Sequence, residues 1–263
     1  FNIINTISFY DLLPSSQSVS FDIMDTNDVI ISHIGMNHHG KIIIYDIHQQ
    51  SFNEIQTYEK WNSVSFINFD CKFSYLFNNI LCVFSPNDYN VYFGMYSIYG
   101  QYANSKVLVH SESIAAIVNV RFVFLNDAIN DNNIYDEVVV CYTDSLNVYL
   151  LTVRYTLDIS KHYTYTILYN VTVDLPSTPI IEVNSLTKIS RDMFVIVLGD
   201  STFMFYTKEL QYLGKVEYNK ILYCFFIVIT PIPSQRDEFL LSYLSNRNNT
   251  KIINVRYSIS KCN

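Results

Sequence analysis

"NDAINDNNIYDEVVVCYTDSLNVYLLTVRY", Asn126 to Tyr155, decides how the 263-residue chain is read. A loop crowded with Asp and Asn gives way to "YDEVVVCY", a polar turn, and then "NVYLLTVRY". Two short runs rich in Val, Leu and Tyr, divided by turn-forming residues, are a hairpin signal. Outside this stretch, no segment of about a dozen residues keeps apolar positions at i, i+3, i+4 and i+7, so the chain reads as all-β.

The run after the loop recurs. A polar or acidic residue precedes an apolar run at Asp28 ("NDVIIS"), Asn79 ("NNILCVF"), Glu137 ("DEVVVCY"), Asp192 ("RDMFVIV") and Glu238 ("RDEFLLSY"). Positions 28, 79, 137, 192 and 238 are 51, 58, 55 and 46 residues apart. Each run is followed by a second strand pattern ("KIIIYDI", "NVYFGMYSI", "NVYLLTVRY", "STFMFYT", "KIINVRYSI"). Each is preceded by another ("VSFDIM", "SVSFINF", "VNVRFVFL", "PIIEVNSL", "LYCFFIVI"). Fourth strands are "SFNEIQTY", "KVLVHS", "YTYTILYNVTV" and "YLGKVEY". A unit of four strands repeated at this period is the pattern of a β-propeller blade. The expectation is a single domain over 1–263 with five four-stranded blades, at 18–60, 61–110, 111–174, 175–218 and 219–263. The fifth unit lacks its fourth strand, and residues 1–13 ("NIINTISFYDLL" within them) are expected to supply it and close the ring. A β-sandwich pair and a piece of a larger propeller are the rival architectures.

The Asp/Asn loop followed by "YDEVVVCYTD…NVYLL" resembles the blades of FG-GAP, or VCBS-like, integrin-α-type propellers. The resemblance covers one blade; elsewhere only an acidic residue before the strand persists, at Asp28, Asp192 and Asp237. It implies the propeller and a calcium loop drawing on Asp127, Asp131, Asn133 and Asp136. Calcium takes six to eight oxygens, which closely spaced Asp and Asn with loop carbonyls can supply. The same residues favour plain turns, and the loop has no Gly at its bend, which favours the turn. Other propeller families fit less well by motif. The Gly-His and Trp-Asp pairs of WD repeats are missing from a chain with one tryptophan, Trp61, and 6 glycines.

Composition narrows the function classes. Hydrophobic residues make up 49% of the chain and aromatic residues 16%, enough for a core and against disorder. A net charge of −7 without a basic run gives a nucleic-acid backbone nothing to bind. The longest apolar stretch, Ile221 to Ile232, is too short to span a bilayer and carries two prolines. The sequence starts at Phe1 and not at Met, so the expectation is a processed chain or a piece of a longer polypeptide. Two sequons, Asn170-Val171-Thr172 and Asn248-Asn249-Thr250, are glycosylation candidates and point to a secreted or surface-associated protein. The 5 cysteines show no CxxC spacing. Cys82, Cys141 and Cys224 lie inside apolar runs and read as free core residues.

The remaining candidates carry little chemistry. His33, His38, His39 and His48 sit around a hairpin, without a Cys or Glu at ligand spacing. Asp28, Glu137, Asp192 and Glu238 occupy equivalent positions and could converge as glycosidase acids, or simply repeat a turn. Tyr163, Tyr165 and Tyr169 alternate along one strand and are expected to share a face. Exposed tyrosines give large, rigid contact area. The expectation is therefore a non-catalytic interaction or structural module with protein partners or self-assembly, without an obligatory cofactor. A carbohydrate-binding or glycosidase propeller and an intracellular scaffold propeller are the alternatives.

Overall fold

The apolar runs become the second and third strands of five antiparallel sheets. A computed structural model describes residues 18–24, 28–34, 40–55, 68–85, 90–98, 107–110, 117–125, 135–144, 146–157, 163–174, 183–198, 202–217, 227–231, 238–246 and 249–258. The first sheet is β1 (Ser18–Ile23), β2 (Asp28–Ile34), β3 (Gly40–Asp46) and β4 (Ser51–Ile55). The second is β5 (Asn68–Ser74), β6 (Asn79–Ser85), β7 (Val91–Ser97) and β8 (Val107–His110). The third is β9 (Asn119–Phe124), β10 (Tyr135–Thr143), β11 (Val148–Leu157) and β12 (Tyr163–Val173). The fourth is β13 (Val183–Ser190), β14 (Met193–Leu198), β15 (Thr202–Thr207) and β16 (Tyr212–Glu217). The fifth has three strands among the described residues, β17 (Ile227–Pro231), β18 (Glu238–Asn246) and β19 (Asn249–Ser258). The segment expected to complete it, residues 1–13, lies outside the described residues. In every sheet the strands follow chain order, with β1 to β4, β5 to β7, β9 to β12, β13 to β16 and β17 to β19 each antiparallel to the next, and 126–134 joins β9 to β10.

The chain forms two compact units, residues 1–108 and 109–263. In the first, Met24, Ile30 and Ile42 of one sheet pack with Cys71, Ile80, Cys82 and Phe84 of the next. The backbone N–H of Phe73 donates to Asp22 Oδ2 at 2.8 Å, tying β5 to β1. In the second unit, Val139, Cys141, Val148 and Leu150 of the third sheet meet Phe194, Ile196, Met204 and Tyr206 of the fourth. Thr152 Oγ1 donates to the Lys208 carbonyl at 2.6 Å across the same seam. Strands such as β10 are buried almost throughout, on both faces, and so read as continuous apolar runs rather than alternating ones.

Two first strands differ from expectation. β5 is "NFDCKFS", not "SVSFINF", and β13 is "VNSLTKIS", displaced in the same direction from "PIIEVNSL". β5 alternates apolar and polar residues and β13 is mostly polar, with apolar residues only at Val183, Leu186 and Ile189, so an apolar-run criterion passes over them. The displacement of β5 overturns the reading of Cys82 as a free core residue. Cys71 stands directly opposite Cys82 in the β5–β6 register, with 4.1 Å between the two Cα atoms, and the pair forms a disulfide. Cys141 is free and buried, as expected, and burial pushes its thiol pKa far above the usual range. Cys224 and Cys262 lie outside the described residues.

Turns close the hairpins with side-chain acceptors. Asp144 Oδ1 takes the N–H groups of Leu146 and Asn147 at 2.7 Å each, and Oδ2 takes the Tyr149 hydroxyl at 3.1 Å. Asp144 is fully buried and Tyr149 stacks on Tyr142, so this turn is locked to the sheet. Asp144→Ala strands two amides and a hydroxyl, and should lower the unfolding free energy by about 2 kcal/mol. The urea midpoint reads it; Asp144→Asn, which keeps an acceptor oxygen, should recover most of the loss. Equal midpoints for wild type and Asp144→Ala would contradict this account of the turn.

Candidate interaction surface

The acidic residues that precede the apolar runs take up local roles where their side chains are described. Glu137 Oε1 accepts from Arg154 Nε at 3.0 Å and Nη2 at 2.6 Å, directly across the β10–β11 register. The bonds to Glu137 raise the Arg154 pKa further, and its guanidinium also stacks 4.2 Å over the Tyr135 ring. Asp192 lies in the exposed β13–β14 turn with Lys208 Nζ 3.3 Å away. Asp28 opens β2 opposite Asp46, and Glu238 opens β18. Glu137 and Asp192 are thus matched with local cations.

Of the calcium candidates, Asp127, Asp131 and Asn133 lie outside the described residues. Asp136 is in β10, buried, and accepts the Tyr155 hydroxyl at 2.9 Å. Among the histidines, His38 and His39 lie outside the described residues and His33 is in β2. His48 is exposed in the β3–β4 turn, where its backbone N–H donates to Asp46 Oδ1 at 2.8 Å. Asn170 is exposed on β12; Asn248 lies outside the described residues.

The tyrosine stripe is broken by backbone geometry. Tyr165 pairs with Tyr155 and Ile167 with Val153, but Tyr169 pairs with Thr152, so Leu168 is an extra residue in a β-bulge. One inserted residue exchanges the faces. Tyr169 therefore stands on the face opposite Tyr163 and Tyr165, correcting the expectation that all three share one. It sits on the Arg154 face and is 42% exposed.

Past the bulge, Val171 and Val173 pair with Leu150 and Val148 and turn toward the fourth sheet. There they form one wall of a cleft of about 520 Å³, with Asp174 at its rim. The opposite wall is Met204 and Tyr206 of β15, Leu210 of the turn, and Tyr212 and Lys215 of β16. Tyr206 stacks on Phe194 beneath, with ring centroids 5.8 Å apart, and leans on Tyr212 at 5.5 Å. Burial, then Tyr212, Cys141 and Asp174, raise the Tyr206 pKa far above its usual value, so its hydroxyl keeps its proton. β16 is exposed along most of its length, with Tyr212 at 51%, Leu213 at 54% and Val216 at 43%. No sequence signal announced this cleft: its walls come from strands some 30 residues apart, and the bulge that aims Val171 leaves no residue-type signature.

Gly214 makes the geometry of β16 possible. Phe205 pairs with Gly214 and Tyr206 with Tyr212, leaving Leu213 bulged, and Gly214 has φ +152°. No atom lies within 4 Å of where its Cβ would be. Gly214→Ala should therefore cost only the backbone strain, about 1 kcal/mol. A thermal melt measures it, and a neutral or stabilising result would contradict the strained geometry.

No protein-family model matches the sequence, and no curated protein matches it. Solved structures do. The Dos1 propeller superposes with a TM-score of 0.53 at 10% identity, over 86% of this chain and 54% of that one. The WD40 domain of SCAP from fission yeast gives 0.53 at 10% identity, over 93% and 56%. A complex of the fission yeast SREBP–SCAP binding domains gives 0.54 at 10% identity, over 98% and 64%. The chain spans between 54% and 64% of the length of these structures. Together with the four-stranded antiparallel sheets, these likenesses show a β-propeller fold. It is shared with WD40 propellers although the Gly-His and Trp-Asp pairs are missing.

Proposed function

We propose that the chain is a non-catalytic protein-interaction module of the β-propeller type. The observation that carries this is the exposed outer strand β16 beside an apolar cleft, with Tyr212, Leu213 and Val216 displayed to solvent. Exposed aromatic and aliphatic side chains around a concavity are the usual makings of a protein interface. One of the similar structures is itself a complex of the SREBP and SCAP binding domains, which supports the same reading here. Cross-linking in the source cells followed by mass spectrometry tests it. Lys208 and Lys215 should appear in links to a second polypeptide, and links that are all internal would overturn the reading.

A secreted setting has an observation of its own in its favour, the Cys71–Cys82 disulfide, together with the exposed Asn170 of a sequon. The intact mass of native material separates it from an intracellular scaffold. A glycan on Asn170 and an oxidised pair support secretion; an unmodified Asn170 with both thiols reduced supports the scaffold.

A further inference from the structure

The cleft between β12 and β15–β16 has the size of a binding site, about 520 Å³ against roughly 300–1,000 Å³ for ligand pockets in general. That is room for more than one side chain. Its walls are Val171, Val173, Met204 and two tyrosines, so apolar contact dominates. Among the described residues, β12 and β16 each end the order of their sheet and are paired on one side only. Their outer N–H and C=O groups are the kind of edge to which an extended strand adds.

The charges at the rim select the partner. Lys215 Nζ lies 2.5 Å from Glu217 Oε1 and is matched there. Asp174 is exposed and makes no hydrogen bond or ion pair among the described residues. Among the described residues the unmatched charge of the cleft is therefore negative, in a chain whose net charge is −7. We propose that the cleft docks an extended segment of a partner protein, with an apolar or aromatic side chain between Val173 and Tyr206 and a Lys or Arg on Asp174. Residues two apart on a strand share a face, so the two anchors are separated by one residue. The inference rests on the interaction-module reading and names the surface and the partner chemistry for it.

The test uses two labelled decapeptides of alternating Thr and Val with a central Phe, followed two residues later by Lys in one and Glu in the other. Fluorescence anisotropy against the full chain should give at least tenfold tighter binding of the Lys peptide, with the ratio shrinking in high salt. Asp174→Lys should reverse the preference, and Tyr212→Ala should weaken both peptides. Both residues are exposed, so circular dichroism should show intact folds. Equal binding of the two peptides, binding of neither, or a preference that survives Asp174→Lys overturns the cleft proposal. If cellular cross-links to a partner persist in the Asp174→Lys/Tyr212→Ala double variant, the cleft is not the dock, while the module reading stands. Wild-type chain without any such link fails the module reading, whatever the peptides do.

Discussion

Phe194→Ala should lower the unfolding free energy of the second unit by about 4 kcal/mol, in the range for emptying a buried Phe site. The side chain is fully buried, stacked on Tyr206, and packed among Cys141, Leu150 and Ile196 where the third and fourth sheets meet. Both sheets lose a common filler, and neither can close the gap without shifting a strand held in register on both sides. The urea midpoint of a tryptophan-independent signal, such as far-ultraviolet circular dichroism, measures the loss. Phe194→Leu should cost far less, because it keeps most of the volume. A loss under about 1 kcal/mol for Phe194→Ala would mean that the two sheets do not share this core. The same variant should loosen the cleft, since Tyr206 rests on Phe194.

Replacing both Cys71 and Cys82 by Ala should cost the first unit about 3 kcal/mol. The bridge closes a segment with a sequence separation of 11, and chain-entropy arguments assign about this much to a loop of that size. Both residues are fully buried between the first and second sheets, so the apolar packing of Ala retains part of the contact. Reductant should reproduce most of the shift in the wild type and none in the double variant. Cys141 supplies an internal control: buried, with its thiol held protonated, it should resist alkylation until the second unit unfolds. A wild-type midpoint indifferent to reductant would show that the pair does not constrain the fold.

The sequence discloses the strands that are buried on both faces and obscures those that are not. β6, β10 and β14 stand out as Val, Ile, Leu and Phe runs because they are buried on both faces. β5 carries Asp70 and Lys72 between its core residues and was displaced by several positions, which hid the disulfide. β12 was legible over its whole length, yet the bulge at Leu168 changed which face Tyr169 occupies. A bulge is set by backbone pairing across to β11, and the local pattern of β12 does not encode it. The cleft is one step further removed, because it requires β12 and β15–β16 to be placed against each other. Conversely, the Asp/Asn loop before β10 was the loudest local signal and served as a register mark, since its position between β9 and β10 follows from the repeat.

The measurement closest to the central claim is hydrogen–deuterium exchange of the chain alone and in its native complex. If the outer cleft is the interaction surface, protection on complex formation should concentrate in residues 171–174 and 204–217, with the buried strands β10 and β14 already slow in both states. Protection confined to other sheets, with 171–174 and 204–217 exchanging identically in the two states, would contradict it.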